Sequence, residues 1–268
     1  MKYKLIAVDI DDTLLNRKKV ITDKTKKALI DAQKQGIKLA IASGRFPNGV
    51  MPFFKELEID SYGGYRMSFN GGAIYNSNGE AISKTYLDKN FIEPVYSIIR
   101  PTSAMVVVHK DGKMYADRKE NPFSDMPQKS NSGIIPEKVD DIAKFVDFDL
   151  HKIVIVDENE KLKKLDKILQ KNFSDELDIY FSADWYLEVM PKAVNKGIGL
   201  KIIADDLGIS LSETIAFGDN FNDVSMIEMA GMGVAMGNAD AEVKSRANMV
   251  TDNCDNDGIA KALKILLS

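Results

Sequence analysis

The sequence predicts an α/β protein: a Rossmann-like, mostly parallel sheet built from both ends of the chain, with an α+β cap domain inserted between them. Three observations predict it. Short apolar runs alternate with helix-like segments near both termini. Those runs finish in Asp, Asn, Ser and Gly rather than in charged helix faces. In the middle of the chain hairpin-like pairs of strands replace the alternation.

Leu5-Ile6-Ala7-Val8 is short, wholly apolar and followed by acids, as expected of a strand buried on both faces. Thr22 or Asp23 can cap a helix whose stripe is Ala28, Leu29 and Ala32 and which Gly36 can stop. Ile37 to Ala42 reads as a second buried strand and leads into Ser43-Gly44-Arg45, and Pro47 suits the first turn of a further helix reaching about Leu57. Arg66 to Phe69 is a third strand. Beyond it, Asn78-Gly79 and Asp111-Gly112 mark two hairpins, the second between Met105–His109 and Lys113–Ala116. Lys152 to Val156 is β-branched, Glu158 to Gln170 is helical, and Asp178–Ser182 and Tyr186–Val189 read as strands. Alternation resumes near Asn195: a helix with Leu200, Ile203 and Leu207, a strand Thr214–Phe217, a helix Val224–Met229, a strand at Val234–Met236 and a closing helix Gly258–Leu267. The predicted division is residues 1–82 and 185–268 as the α/β core, with 83–184 as the inserted cap.

The chain has 268 residues, 44% apolar and 28% charged, enough for a sizeable core and unlike a disordered chain. A net charge of −4 offers no basic excess for a nucleic-acid backbone. The single cysteine, Cys254, excludes an internal disulfide and a thiolate zinc cluster. No apolar run approaches the length of a membrane span. These readings lead to the expectation of a soluble, cytoplasmic monomer whose partner is a small molecule, not nucleic acid or a membrane.

Four clusters carry chemistry. In Asp9-Ile10-Asp11-Asp12-Thr13, alternation sends Asp9 and Asp11 to one side of an extended segment. Two carboxylates held close need a cation between them, or else one takes a proton. One can then attack phosphorus while the other moves protons; a solvated acidic turn is the plain alternative. Gly218-Asp219-Asn220-Phe221-Asn222-Asp223 adds hard oxygen ligands of the kind magnesium takes, where a helix cap explains only one or two of the residues. Ser43-Gly44-Arg45 supplies a hydroxyl and amides entering a helix, an anion-binding arrangement or an ordinary capped turn. Lys196 opens a helix, against the usual charge preference there, which a bound phosphate would compensate.

In this order, and each at a strand end or helix start, the clusters resemble the haloacid dehalogenase-like superfamily, in particular its Cof-type phosphatases. The resemblance runs over almost the whole chain and continues through Gly237-Asn238-Ala239 and Asp257-Gly258. It implies a Mg2+-dependent phosphatase acting on a small phosphorylated metabolite, a sugar phosphate or phosphorylated cofactor, through an aspartyl-phosphate. Asp9 would be the nucleophile and Asp11 the general acid and base. The metal would be held by the Asp9 side chain, the Asp11 carbonyl and Asp219, with Asp223 in support. Ile10, Ser43, Gly44, Lys196 and Asn222 would hold the phosphoryl group, and Arg45 and Asn70 would face the substrate, although Arg45 can equally pair with an acid and Asn70 can equally serve a turn. A phosphotransferase or mutase, and a non-catalytic metabolite sensor, are the competing readings. Two residues depart from the family: Asp12 and Ala193 stand where glycine is usual, and Asp12 is expected to face solvent. His109 and His151 are expected to be structural, Trp185 and Tyr186 to pack, and Met226, Met229, Met232 and Met236 to fill core.

Overall fold

The structure is a computed structural model describing residues 2–117, 120–130 and 133–268. In chain order its strands are β1 (Leu5–Val8), β2 (Lys38–Ala42), β3 (Tyr65–Ser68), β4 (Ala73–Asn76), β5 (Ala81–Lys84), β6 (Met105–Lys110), β7 (Lys113–Asp117), β8 (Glu137–Val139), β9 (Ile153–Val156), β10 (Leu177–Ala183), β11 (Tyr186–Pro191), β12 (Thr214–Gly218), β13 (Met232–Ala235) and β14 (Met249–Val250). Among the described residues they form two sheets, in two compact units. One unit comprises Met1–Lys84 with Asn195–Ser268, the other Thr85–Val194.

The sheet of the first unit has the order β14-β13-β12-β1-β2-β3-β4-β5. It is parallel from β14 to β3, and the β4–β5 hairpin adds an antiparallel edge. β1 lies between β12 and β2 and is buried on both faces, which is why its sequence shows no polar alternation. Ile6 and Val8 pack with Leu39, Ile41, Ile215 and Phe217 against Leu29 and Ala32, Val50 and Phe54, and Ile259 and Leu263, from helices Asp23–Lys34, Pro47–Glu56 and Gly258–Leu266. Leu5 and Ala7 face the other way, with Ala40, Ala42 and Ala216, against Leu200 and Ile203 of helix Lys196–Asp206 and Met226 of helix Val224–Met229. Small residues on this second face let those helices approach closely. Gly199 shows how closely: a Cβ there would sit 2.5 Å from the Met67 methyl.

The chain goes from β1 to β2 on one side and returns to β12 on the other. In open α/β sheets such a reversal leaves a crevice beyond the carboxyl ends of the strands. Asp9 follows β1, Ser43 follows β2, Asn70 follows β3 and Asp219 follows β12.

The second unit is a sheet of order β10-β11-β9-β6-β7-β8, antiparallel except for the β7–β8 pair. Val106, Val108, Ile153, Ile155, Leu187 and Val189 pack with Val95 and Ile99 of helix Ile92–Ile99 and with Leu162, Leu165 and Leu169 of helix Asn159–Phe173. Lys152 and Glu188 form a buried ion pair of 2.8 Å, and Ser182 Oγ donates to Glu188 at 2.8 Å. The second boundary differs from the expected 184/185. β11 pairs with both β10 and β9, so Tyr186–Pro191 belongs to the second sheet, and the first unit resumes only at Asn195. The Ala183–Tyr186 turn closes a hairpin between β10 and β11, which the separate strand readings of Asp178–Ser182 and Tyr186–Val189 do not distinguish from a crossover.

Candidate active site

Asp9 continues the pairing of β1 with β12 through its amide, which donates to Phe217 O at 3.1 Å. The chain then turns sharply over Ile10–Leu14, closed by Leu14 N to Asp9 O (3.1 Å) and Leu15 N to Ile10 O (2.9 Å). Asp12 takes the left-handed conformation in this turn, with φ +58°. That explains the glycine usual at this place; aspartate is among the side chains that tolerate it best. Its carboxylate is half exposed and pairs with Lys19 at 3.3 Å, as expected of a solvent-facing group. Ala193 likewise has φ +59°.

Lys196 is the first residue of its helix, behind Asn195, whose side chain accepts from Ile198 N at 2.9 Å. The lysine is wholly buried. Its ammonium donates to Asp9 Oδ1 and Asp223 Oδ1, both at 2.5 Å. The unfavourable charge at the helix start is thus compensated by two carboxylates of the protein itself. Burial pulls the lysine pKa down, but Asp223 and Asp9 more than offset this and hold it above its usual range.

Asp223 is also wholly buried. Its Oδ2 accepts from the amides of Asp219 and Asn220, each at 3.0 Å, so the loop after β12 folds around it. A Cβ on Gly218 would lie 2.4 Å from the Asp223 Cβ, so only glycine permits this approach. Asp219 accepts from Thr13 Oγ1 at 2.7 Å, and its other oxygen meets Asn238 Nδ2 at 3.4 Å. Asn238 also donates to Asp12 O (2.7 Å) and accepts from Cys254 N (3.0 Å), tying three loops together. Thr13 and Asn238 were absent from the predicted site. Their signals were the threonine ending Asp-x-Asp-x-Thr and the Gly-Asn-Ala run, but neither spacing says which carboxylate each would meet.

Carboxylate oxygens of Asp9, Asp219 and Asp223 lie within 4.8 Å of one another. Burial, then the charge of Asp223, drives the Asp9 pKa well above the ordinary range, with Lys196 opposing. Burial and Asp223 push Asp219 up to about 7. Three carboxyl groups share one ammonium, so keeping all three ionised together needs further positive charge. Hard oxygens carrying excess negative charge are the donor set that suits a divalent cation such as magnesium, and on this chemistry the residues fit one. Asp223, with both oxygens engaged by protein donors, suits a supporting position better than direct ligation.

The loops after β2 and β3 adjoin this cluster. Ser43 is buried and its Oγ accepts from Arg45 N at 3.1 Å. Phe69 and Asn70 both have φ of +53°, and their amides donate to Arg45 O (3.0 Å) and Ser43 O (2.9 Å). Two successive left-handed residues without glycine store strain, which this double clamp holds in place. Asn70 is buried, accepts from Asn222 Nδ2 at 3.1 Å, and lies against Gly44, where a Cβ would come within 3.1 Å of its Oδ1. The strands therefore bring together Asp9, Asp219, Asp223 and Lys196, and beside them Ser43, Gly44, Asn70 and Asn222. Ile10 is buried in the turn after Asp9.

Asp11 stands apart from the carboxylate cluster. Its carboxylate accepts from Arg45 Nε at 2.9 Å and from Arg45 Nη2 at 2.8 Å, with Lys19 3.5 Å away. Burial alone would raise its pKa; the hydrogen bonds and charge of Arg45, with Lys19, hold it below the usual carboxylate range. Arg45, expected to face substrate or to pair with an acid, does the latter, and the acid is Asp11.

The parallel-rich α/β sheet thus carries a lysine-bridged set of carboxylates at its strand ends. A sequence model of the haloacid dehalogenase-like hydrolases matches residues 6–263. A phosphatase of Bacillus subtilis that acts on 5-amino-6-(5-phospho-D-ribitylamino)uracil is 31% identical over 263 residues, covering 97% of this chain and 94% of its own. A haloacid dehalogenase-like hydrolase from Bacteroides thetaiotaomicron superimposes with a TM-score of 0.91 at 32% identity, covering 98% and 99% of the two chains. A subclass IIB sugar phosphatase of the superfamily does so at 0.86 and 25% identity, covering 98% of each. The chain belongs to the haloacid dehalogenase-like hydrolases and is an enzyme of their phosphatase class. No helix among the described residues is long and apolar enough to cross a membrane.

Proposed function

We propose that the protein is a magnesium-dependent phosphatase that removes phosphate from small phosphomonoesters by way of an aspartyl-phosphate on Asp9. The observation that carries this reading is the convergence of Asp9, Asp219 and Asp223 beside the buried ammonium of Lys196. In the first half-reaction an Asp9 oxygen attacks phosphorus. The bond from phosphorus to the leaving oxygen breaks, and that oxygen takes a proton from Asp11, which Arg45 and Lys19 hold ionised in the free site and which must therefore gain that proton as the substrate binds. In the second, Asp11 takes a proton from water as its oxygen attacks phosphorus, the bond to Asp9 breaks, and inorganic phosphate leaves. Lys196 offsets charge on the transferring group, and Ser43, the Ile10 and Gly44 amides and Asn222 hold its oxygens. Asp9, the Asp11 carbonyl and Asp219 would hold Mg2+, which when bound supplies neutralisation of phosphate charge.

The relatives support a substrate class. One acts on a phosphorylated ribityl chain and another on sugar phosphates, so the reading is a phosphate on a small polyhydroxylated metabolite or cofactor. Its selection is assigned to the inserted unit, Thr85–Val194. The test is phosphate release from para-nitrophenyl phosphate and a panel of sugar and cofactor phosphates, with magnesium or chelator. Release should need the metal and fall on the order of 1,000-fold or more in Asp9→Asn. No release across the panel, or undiminished release by Asp9→Asn, overturns the reading.

A further inference from the structure

Asp11 and Arg45 come from the loops after β1 and β2 and meet as a fork. Nε and Nη2 of the arginine donate to separate oxygens of the aspartate, at 2.9 and 2.8 Å. Two parallel bonds of this kind fix both the plane and the direction of a carboxyl group. Arg45 is itself held from several sides. Its amide donates to Ser43 Oγ, its carbonyl accepts from Phe69 N, and its guanidinium lies 5.4 Å from the centroid of the Phe53 ring. Its side chain is 13% exposed, whereas that of Lys19, the other cation near Asp11 among the described residues, is 56% exposed and 3.5 Å from the carboxylate. Lys19 adds charge; only Arg45 can set direction.

We infer that Arg45 is the positioning residue for the proton-transfer steps: it aims the Asp11 carboxyl and does not bind the phosphoryl group. The inference rests on the reading of Asp11 as general acid and base. To meet the leaving oxygen, Asp11 must free one of its two oxygens, so one arm of the fork opens while the other keeps the side chain in its orientation. The proton passes from Asp11 to the leaving oxygen and is later replaced from water. Arg45 gains and loses nothing in a turnover.

A double-mutant cycle tests this, with wild type, Arg45→Ala, Asp11→Asn and the double variant. The measured rate is leaving-group release in a single turnover, from phenyl phosphate and from 2,4-dinitrophenyl phosphate. Phenolate is a poor leaving group that needs the proton; dinitrophenolate is a good one that does not. Arg45→Ala should slow phenol release on the order of 10- to 100-fold and dinitrophenolate release much less, with KM nearly constant. In the Asp11→Asn background it should cost nothing further. Arg45→Lys keeps the charge without the fork and should recover little of the lost rate. A rise in KM shared by both substrates, an equal loss in the Asp11→Asn background, or full recovery with lysine overturns the inference. Melting curves of each variant identify any loss that is merely unfolding. Crystal structures give a reading that needs no turnover: Asp11 should hold one orientation in the wild type and several in Arg45→Ala, and one unchanged orientation in both overturns the inference. Turnover that survives Asp9→Asn would instead count against Asp9 as the nucleophile, whatever Arg45 does.

Discussion

Lys196 is the residue on which the site's electrostatics turn. It is wholly buried between Asp9 and Asp223. Removing one partner of such a group strands the other charges, and Lys196→Ala should cost about 3–5 kcal/mol of stability. Thermal melts should show the cost to be larger at pH 8 than at pH 5, because the stranded carboxyls escape by taking protons. Asp219, pushed up to about 7, behaves in the same sense. A carboxyl raised in the folded state keeps a proton that the unfolded chain releases near pH 4, so its contribution to stability falls as pH rises from about 4 towards 7. A cation bound there must expel that proton. Magnesium binding near pH 6 should therefore release protons, seen as calorimetric heats that differ between buffers of unequal ionisation enthalpy; equal heats would contradict the assignment. Ala193 offers a simpler check. It is exposed with φ +59°, and Ala193→Gly should stabilise by about 0.5–1 kcal/mol in denaturant titrations. The sequence exposed this residue, and Asp12, as departures at glycine positions. It did not expose the partners of Asp219 and Asp11, because Thr13, Asn238 and Arg45 reach them across loops joined only by the folded sheet.

Among the elements, the loop after β12 depends on contact with its own glycine. Gly218→Ala would bring a Cβ within 2.4 Å of Asp223, and neither backbone nor buried carboxylate can retreat cheaply. It should destabilise by about 1–3 kcal/mol and reduce phosphate release at least tenfold, the larger effect on activity because Asp223 holds both Lys196 and the Asp219 amide. A variant with wild-type activity would show that the loop shifts freely. The central strands were readable because both of their faces are buried and their sequences are continuous apolar runs, as in β1, β2, β9 and β12. The weaker elements escaped for the opposite reason. β8 is exposed and three residues long, and β14 has two residues, so neither carries a periodicity. Helix Ile92–Ile99 buries Ile92, Val95, Tyr96 and Ile99 at helical spacing while Glu93, Pro94 and Ser97 are exposed, a signal confined to two turns that the sequence reading passed over.

At the scale of the molecule, two units with separate cores share one chain, and one of them is discontinuous in sequence. The return of strand–helix alternation near Asn195 announced this arrangement, while the exact crossing point was set by pairing of β11 with β9, a contact between distant segments. The second unit carries its own acid sensitivity. Both ring nitrogens of His109 are buried, and burial, then Lys152 and His151, push its pKa down to about 3. The folded protein keeps this ring neutral where the unfolded chain takes a proton. Stability should therefore fall as pH drops from about 6.5 towards 3, by up to about 1.4 kcal/mol per pH unit from this group. The melting temperature of the wild type should drop more between pH 7 and pH 5 than that of His109→Gln. Parallel curves would remove His109 from the explanation.

The central claim is that phosphorus is transferred to Asp9, and the most direct measurement is mass spectrometry of tryptic peptides after acid quench of a single turnover. The account predicts one added phosphoryl group on the peptide Leu5–Arg17, located at Asp9 by fragmentation, and none in Asp9→Asn. Phosphate released by the wild type with that peptide unmodified throughout the turnover, or label on another residue, would contradict it.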